Sequence, residues 1–257
     1  TAIAMKQFVK HDSIVRTIWG KSDTVLLIFA GAAAEFALNK AVDWLYFTGK
    51  LPADPLGRLF STVTYARRII FAEEQHALKT IDSIYHIHKS VEQNRGGAIP
   101  DWAYRDVLFM LIYYSIAAFE LLERKLSAEE KQEVYDVFYR FGLQMKLKEL
   151  QPKYTDWLEQ REQHIQQDLK NSKYTQDLFK QYKKHLGSVR YFFLIEAQKL
   201  LVPKRVRQLL NMRSFSWLTG FIPLYKLSRL LKADVLVKAI LLPKSYKKEI
   251  AGLDIAV

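Results

Sequence analysis

Apolar residues recur at steps of three and four along most of this chain, and few residues interrupt them. Only ten glycines and seven prolines punctuate 257 residues. No stretch alternates apolar with polar positions, and no hairpin signature is present. A chain patterned this way buries helix against helix, so the expected fold class is all-α. Apolar residues make up 49% and aromatic residues 13%, which is ample material for a core and unlike a disordered chain. No Pro/Gly/Ser-rich linker divides it, so a single domain with a C-terminal extension is expected. The expected organisation is an N-terminal segment over 1–15, a helical body over 16–210, and a basic amphipathic extension over 211–257.

Local signals place the helices. Ser22 or Asp23 can cap a helix running to about Phe47, and the segment from Gly49 to Pro55 breaks it. Helices follow over about Leu56 to Phe71, Glu73 to Glu92, and Asp101 to Leu122 after Pro100. Ser127 with Glu130 forms a capping box for a helix from Ala128 to Phe141, closed by Gly142. Three more are expected at about Thr155 to Leu169, Thr175 to Leu186 and Val189 to Leu201, with Pro203 as a stop. The apolar runs Val25 to Ala34 and Val107 to Phe119 are shorter than the roughly 18–20 residues of a membrane span and read as buried core helices.

Composition narrows the chemistry. The chain has no cysteine, so disulfides, thiolate metal sites and a cysteine nucleophile are excluded, leaving histidine and carboxylates as ligands. Charge is placed unevenly: residues 1–180 hold 24 Lys+Arg against 23 Asp+Glu, and residues 181–257 hold 15 against 4. The basic tail mixes its cations with Phe, Trp, Leu and Ile, a pattern that suits an anionic membrane surface met through residues 191–238. It lacks a recognisable nucleic-acid reading motif, so no nucleic acid is expected. The cytoplasm, with association at a membrane, is the expected location. Secretion stays open because Thr1 is not a native start.

One histidine stands out. On a helix, Ile81, Ile84, His88 and Val91 share a face, so His88 lies in an apolar stripe, while His86 is turned by about 200° toward Asp82, Lys89 and Ser90. A core histidine is most often structural, but a buried neutral imidazole is also what a haem iron takes as its ligand. Glu35 likewise interrupts an apolar helix. Left unpaired it is costly to bury, so it either pairs with a cation such as Arg58 or has a raised pKa suited to proton abstraction. Asp43 is the other acid of this stretch. Glu73-Glu74-Gln75-His76 holds a Glu-x-x-His, but a di-iron bundle needs two of these and further glutamates, and no second one exists.

Five separated strings carry a resemblance covering about residues 16 to 210. They are Ile18-Trp19-Gly20 with the run Leu26 to Ala34; Asp54-Pro55-Leu56-Gly57-Arg58-Leu59-Phe60-Ser61-Thr62; His88-Lys89-Ser90-Val91; Phe119 to Arg124 leading into Leu126-Ser127; and Leu201-Val202-Pro203 with Val206 and Arg207. Together they resemble the rubber oxygenase and MpaB family, which includes latex-clearing protein. The resemblance implies a globin-like helical bundle enclosing a b-type haem. His88 would be the proximal ligand, and Arg58 and Thr62 would lie in the pocket on the haem. Glu35 would be the candidate base.

It also implies an oxygenase acting with O2 on an apolar, unsaturated or isoprenoid-like substrate, in a dry pocket lined by residues such as Phe29, Phe36 and Ile84. The alternative is a membrane-associated, non-catalytic haem sensor or carrier. Two departures favour that alternative. Ser61 stands where latex-clearing protein has a lysine, and Glu35 to Asn39 replaces a Q-x-x-H-P string of many members.

Overall fold

Ser13 opens the first helix by accepting the amide of Val15, in a computed structural model that describes residues 6–230. The helices in chain order are α1 (Ile14–Trp19), α2 (Ser22–Phe36), α3 (Asp43–Phe47), α4 (Lys50–Ala53), α5 (Pro55–Ile70), α6 (Glu74–Arg95), α7 (Asp101–Leu122), α8 (Ala128–Gln144), α9 (Tyr154–Gln167), α10 (Lys173–Leu201), α11 (Lys204–Leu209) and α12 (Ile222–Leu230), with a 3-10 turn at Trp217–Gly220 before the last. Only two isolated β-bridges occur among the described residues, Gln7 with Glu73 and Asn39 with Leu169. The protein is all-α.

The two apolar runs of the sequence form the centre. α2 lies along α7, and the approach is so close that a Cβ on Gly31 would sit 2.3 Å from the Tyr114 ring. Around this pair Trp19 meets Phe29 edge-on at 6.0 Å and Phe138 at 6.1 Å, and its indole N–H donates to Ser115 Oγ. Trp157 packs on Phe109 and Tyr135 at the other end. No helix among the described residues is long and apolar enough to cross a membrane.

Two local expectations are corrected. The helix from Ser22 ends at Phe36, eleven residues before Phe47, because Asn39 turns the chain. Its side-chain oxygen accepts the amide of Ala41, its amide group donates to Asp106 of α7, and Lys40 N and Leu38 O bond to Asp168 and Lys170. An asparagine offering such bonds competes with helix continuation. Gly142 lies inside α8 rather than closing it; a Cβ there would meet Leu150 at 2.6 Å and Leu108 at 2.8 Å, so the glycine allows close packing. The two helices expected on either side of Gly187 are present, meeting within α10 at a kink where Gly187 leaves helical geometry at φ 73°, a conformation that glycine takes readily. The Ser127/Glu130 capping box is present as expected.

Part of the segment expected as an extension is fastened to the body. Ser216 Oγ donates to the Glu196 carbonyl and Trp217 N to the Glu196 carboxylate. Arg229 pairs with Asp23 and Glu123, and Lys226 Nζ donates to the Glu123 carbonyl. Lys226 and Arg229 therefore point inward and are not available to a lipid surface. Lys232 and Lys238 lie outside the described residues.

Candidate functional site

The Asp54-Pro55-Leu56-Gly57-Arg58 string is a helix-starting device. Asp54 caps α5 by accepting the amide of Gly57 at 2.9 Å, and Pro55 occupies the first helical position. A Cβ on Gly57 would collide with the Asp54 carboxylate at 2.0 Å, so this cap requires glycine there. The device sets Arg58 in the first turn and Thr62 one turn later, on the helix that packs against α6.

His88 projects from α6 as its periodicity predicts. His86 is exposed, and the His88 ring is largely covered, edge-on to Tyr104 of α7 at 5.3 Å between centroids. Its Nδ1 is buried without a hydrogen-bond partner of ordinary geometry. Burial, with the nearby Arg58 guanidinium adding to it, pulls the imidazole pKa down to about 4, against the opposing pull of Glu92 and the Ile84 carbonyl. The ring is neutral at physiological pH and has an uncommitted nitrogen.

The Arg58 side chain is half-buried and makes no hydrogen bond or ion pair among the described residues, and burial lowers its pKa against the opposing pull of Tyr65. Its guanidinium is available to an anionic partner. Thr62 donates its hydroxyl to the Arg58 carbonyl at 3.2 Å, leaving its oxygen free to accept. Beneath His88, Glu92 is nearly covered and accepts from Lys89 at 2.7 Å, from the amide of Ile99 and from the Tyr104 hydroxyl at 3.0 Å. Glu92 and Tyr104, unforeseen from the sequence, thus build the floor under the imidazole.

Glu35 does not join this group. It is fully buried and pairs with Arg161 of α9, not Arg58, through two bonds of 2.5 and 2.6 Å, while the Tyr114 hydroxyl donates to it at 2.9 Å. Asp43 is likewise paired, with Arg95 at 2.7 Å. The Glu35 pair continues into a chain of buried polar groups: Arg161 lies 3.8 Å from Asp106, Asp106 contacts His164, and His164 reaches Asp168 at 2.6 Å. Burial pulls His164 toward the neutral form, but Asp106 and Asp168 outweigh it and raise its pKa.

The sequence held two overlooked clues to this network. Asp106 stands at the edge of the apolar run that starts at Val107, and Arg161, His164 and Asp168 recur at three and four positions.

The remaining candidates are placed as follows. Phe29 is packed in the core against Trp19, and Phe36 and Ile84 are half-buried beside the same core. Glu74 pairs with Lys6 at 2.9 Å and His76 is exposed, so the di-iron donors are not gathered. Among the described residues no three His, Asp or Glu side chains form a metal-ligating cluster. Two surface clefts of about 620 and 550 Å³ are lined by other residues than His88, Arg58 and Thr62.

Compared with known proteins, residues 18–231 match the family model described as ER-bound oxygenase mpaB/B'/rubber oxygenase, catalytic domain. No curated protein and no solved structure matches the chain.

Proposed function

Because the chain belongs to the family of mpaB and rubber oxygenase catalytic domains, we propose that it is a haem-dependent oxygenase that takes a b-type haem at His88 and acts with O2 on an apolar, unsaturated or isoprenoid-like substrate. The observation carrying this reading is the pairing of two uncommitted groups on adjacent helices: a neutral, largely covered imidazole whose Nδ1 is buried without a hydrogen-bond partner and a half-buried guanidinium that makes no ion pair among the described residues. The unpartnered buried nitrogen is costly in a purely structural role. A dianionic cofactor carrying a metal that accepts nitrogen would satisfy both.

The donor set fits a haem, which when bound would supply the iron chemistry that activates O2. His88 would hold it, kept neutral by burial and oriented by the edge of Tyr104, itself fixed by Glu92. Arg58 would serve as a fixed cation for a propionate or for negative charge developing on oxygen. The Thr62 hydroxyl, one turn on, would line the same pocket with an oxygen free to accept a hydrogen bond. We assign Glu35 to the buried network rather than to proton abstraction, since both its oxygens are occupied. That commitment, with Asp43 also paired, favours a non-catalytic haem sensor or carrier as the second reading, because no carboxylate pairs with Arg58 among the described residues.

Haem reconstitution is the test. The protein should show the Soret band of a b-type haem, His88→Ala should lose it, and His86→Ala should keep it. Equal behaviour of the two variants would refute the ligand assignment. Arg58→Ala separates the two arginine roles: a rate loss of roughly 10²–10³ with haem retained indicates oxyanion stabilisation, and loss of haem indicates a propionate anchor. O2 consumption with an apolar alkene distinguishes the oxygenase from the sensor.

A further inference from the structure

Helices on a protein surface ordinarily turn their apolar stripe inward and their charges to water. α12 does the reverse. Tyr225 donates its hydroxyl to Asp23 at 3.1 Å, Arg229 reaches Asp23 and Glu123, and Lys226 bonds the Glu123 carbonyl, so the polar side of the helix faces the body. Phe221, Leu224 and Leu227, about 60° apart in turn on the opposite side, are 60%, 61% and 52% exposed. The ion pairs hold the helix in an orientation that its apolar residues alone would not choose in water.

The neighbouring elements share this character. Of twelve large exposed apolar side chains among the described residues, seven fall between Val189 and Leu227. Phe215 and Trp217 meet edge-on at 5.6 Å, both mostly exposed, and Trp217 and Phe192 line one cleft between α10 and the segment before the 3-10 turn. The kink at Gly187 gives the second half of α10 its own direction. An exposed, clustered apolar face of this kind marks an interaction site rather than ordinary surface.

Charge indicates the partner. Residues 181–230 hold ten Lys+Arg against one acidic residue, Glu196, and that glutamate is buried and paired with Lys199 at 2.5 Å. Lys204 and Arg213 are exposed and make no ion pair among the described residues, and Arg213 lines the same cleft as Phe192 and Trp217. Exposed Phe and Trp with unpaired cations around them match a bilayer boundary, where rings sit at headgroup depth and Lys/Arg meet anionic lipid.

We propose that the face built from the second half of α10, the 3-10 turn and α12 docks on the surface of an anionic lipid bilayer. Contact is through Phe192, Phe215, Trp217, Phe221, Leu224 and Leu227, while Lys226 and Arg229 fix the presenting helix and take no part in lipid contact. This stands whether or not His88 holds a haem. An oxygenase acting on a membrane-dissolved substrate would gain access to it by this route.

The test is co-sedimentation of the whole protein with phosphatidylcholine vesicles, with and without phosphatidylglycerol. Binding should require the anionic lipid and weaken several-fold as salt rises from about 0.05 to about 0.5 M. Phe221→Ser, Leu224→Ser and Leu227→Ser together should weaken it by about tenfold or more, with helicity and melting temperature retained because all three side chains are exposed. His88→Ala should bind as the unaltered protein does. The proposal is overturned if the triple variant binds equally well, if neutral and anionic vesicles bind alike, or if no vesicle binds and the same substitutions dissociate a dimer instead.

Discussion

Glu35→Gln keeps the shape of the side chain and removes its charge, leaving Arg161 as a buried cation whose nearest carboxylate is Asp106 at 3.8 Å. The side chains of Glu35 and Arg161 are 0% and 4% exposed, so solvent does not screen the loss. Breaking one partner of such a pair costs about 3–5 kcal/mol, and the Tyr114 hydroxyl loses an anionic acceptor in the same step. For a chain of this size each kcal/mol corresponds to roughly 2–4 °C, so the melting temperature should fall by about 6–20 °C, toward the lower end if Asp106 and the Tyr113 ring, 5.2 Å from the guanidinium, shelter the cation. Removing both charges, as in Glu35→Met with Arg161→Met, should recover much of the loss, with a coupling of about 2 kcal/mol or more in the double-mutant cycle. Urea unfolding of the four proteins measures it. A cost below about 1 kcal/mol for Glu35→Gln, or simple additivity in the cycle, would refute the reasoning. Normal stability with lost turnover would instead support the other reading of its position in an apolar helix, that of a proton acceptor.

Two further outcomes follow from the packing around this pair. His164 has a raised pKa in the fold, so its pairing stabilises most below the ordinary imidazole value of about 6.5 and is lost as pH rises through the higher folded value. His164→Gln should therefore cost more at about pH 6 than at about pH 9 in paired urea titrations, and a pH-independent difference would contradict the ion-pair account. Gly31→Ala should destabilise although alanine is favoured in helices by about 1 kcal/mol, because the new Cβ overlaps the Tyr114 ring. A rise in melting temperature would show that the two central helices separate freely.

Local chemistry made much of this protein legible without coordinates. Ser127 with Glu130, the break of the chain between Gly49 and Pro55 and the inward turn of His88 relative to His86 all depend on residues within a turn or two of each other, and short spacing fixes such geometry directly. Position relative to partners far along the chain was decided only by tertiary packing. Glu35 demanded a cation from sequence alone, but the choice of Arg161, 126 positions away, over Arg58, 23 positions away, depended on how α9 lies against α2 and α7. The same holds for Asn39, whose turn ends α2 in partnership with Asp106 and the 168–170 segment. The cations of α12 follow suit, reading as lipid-facing in an amphipathic pattern and pairing inward because Asp23 and Glu123 reach them first. Periodicity states that a helix has two faces, and the charges waiting on the body settle which of the two turns outward.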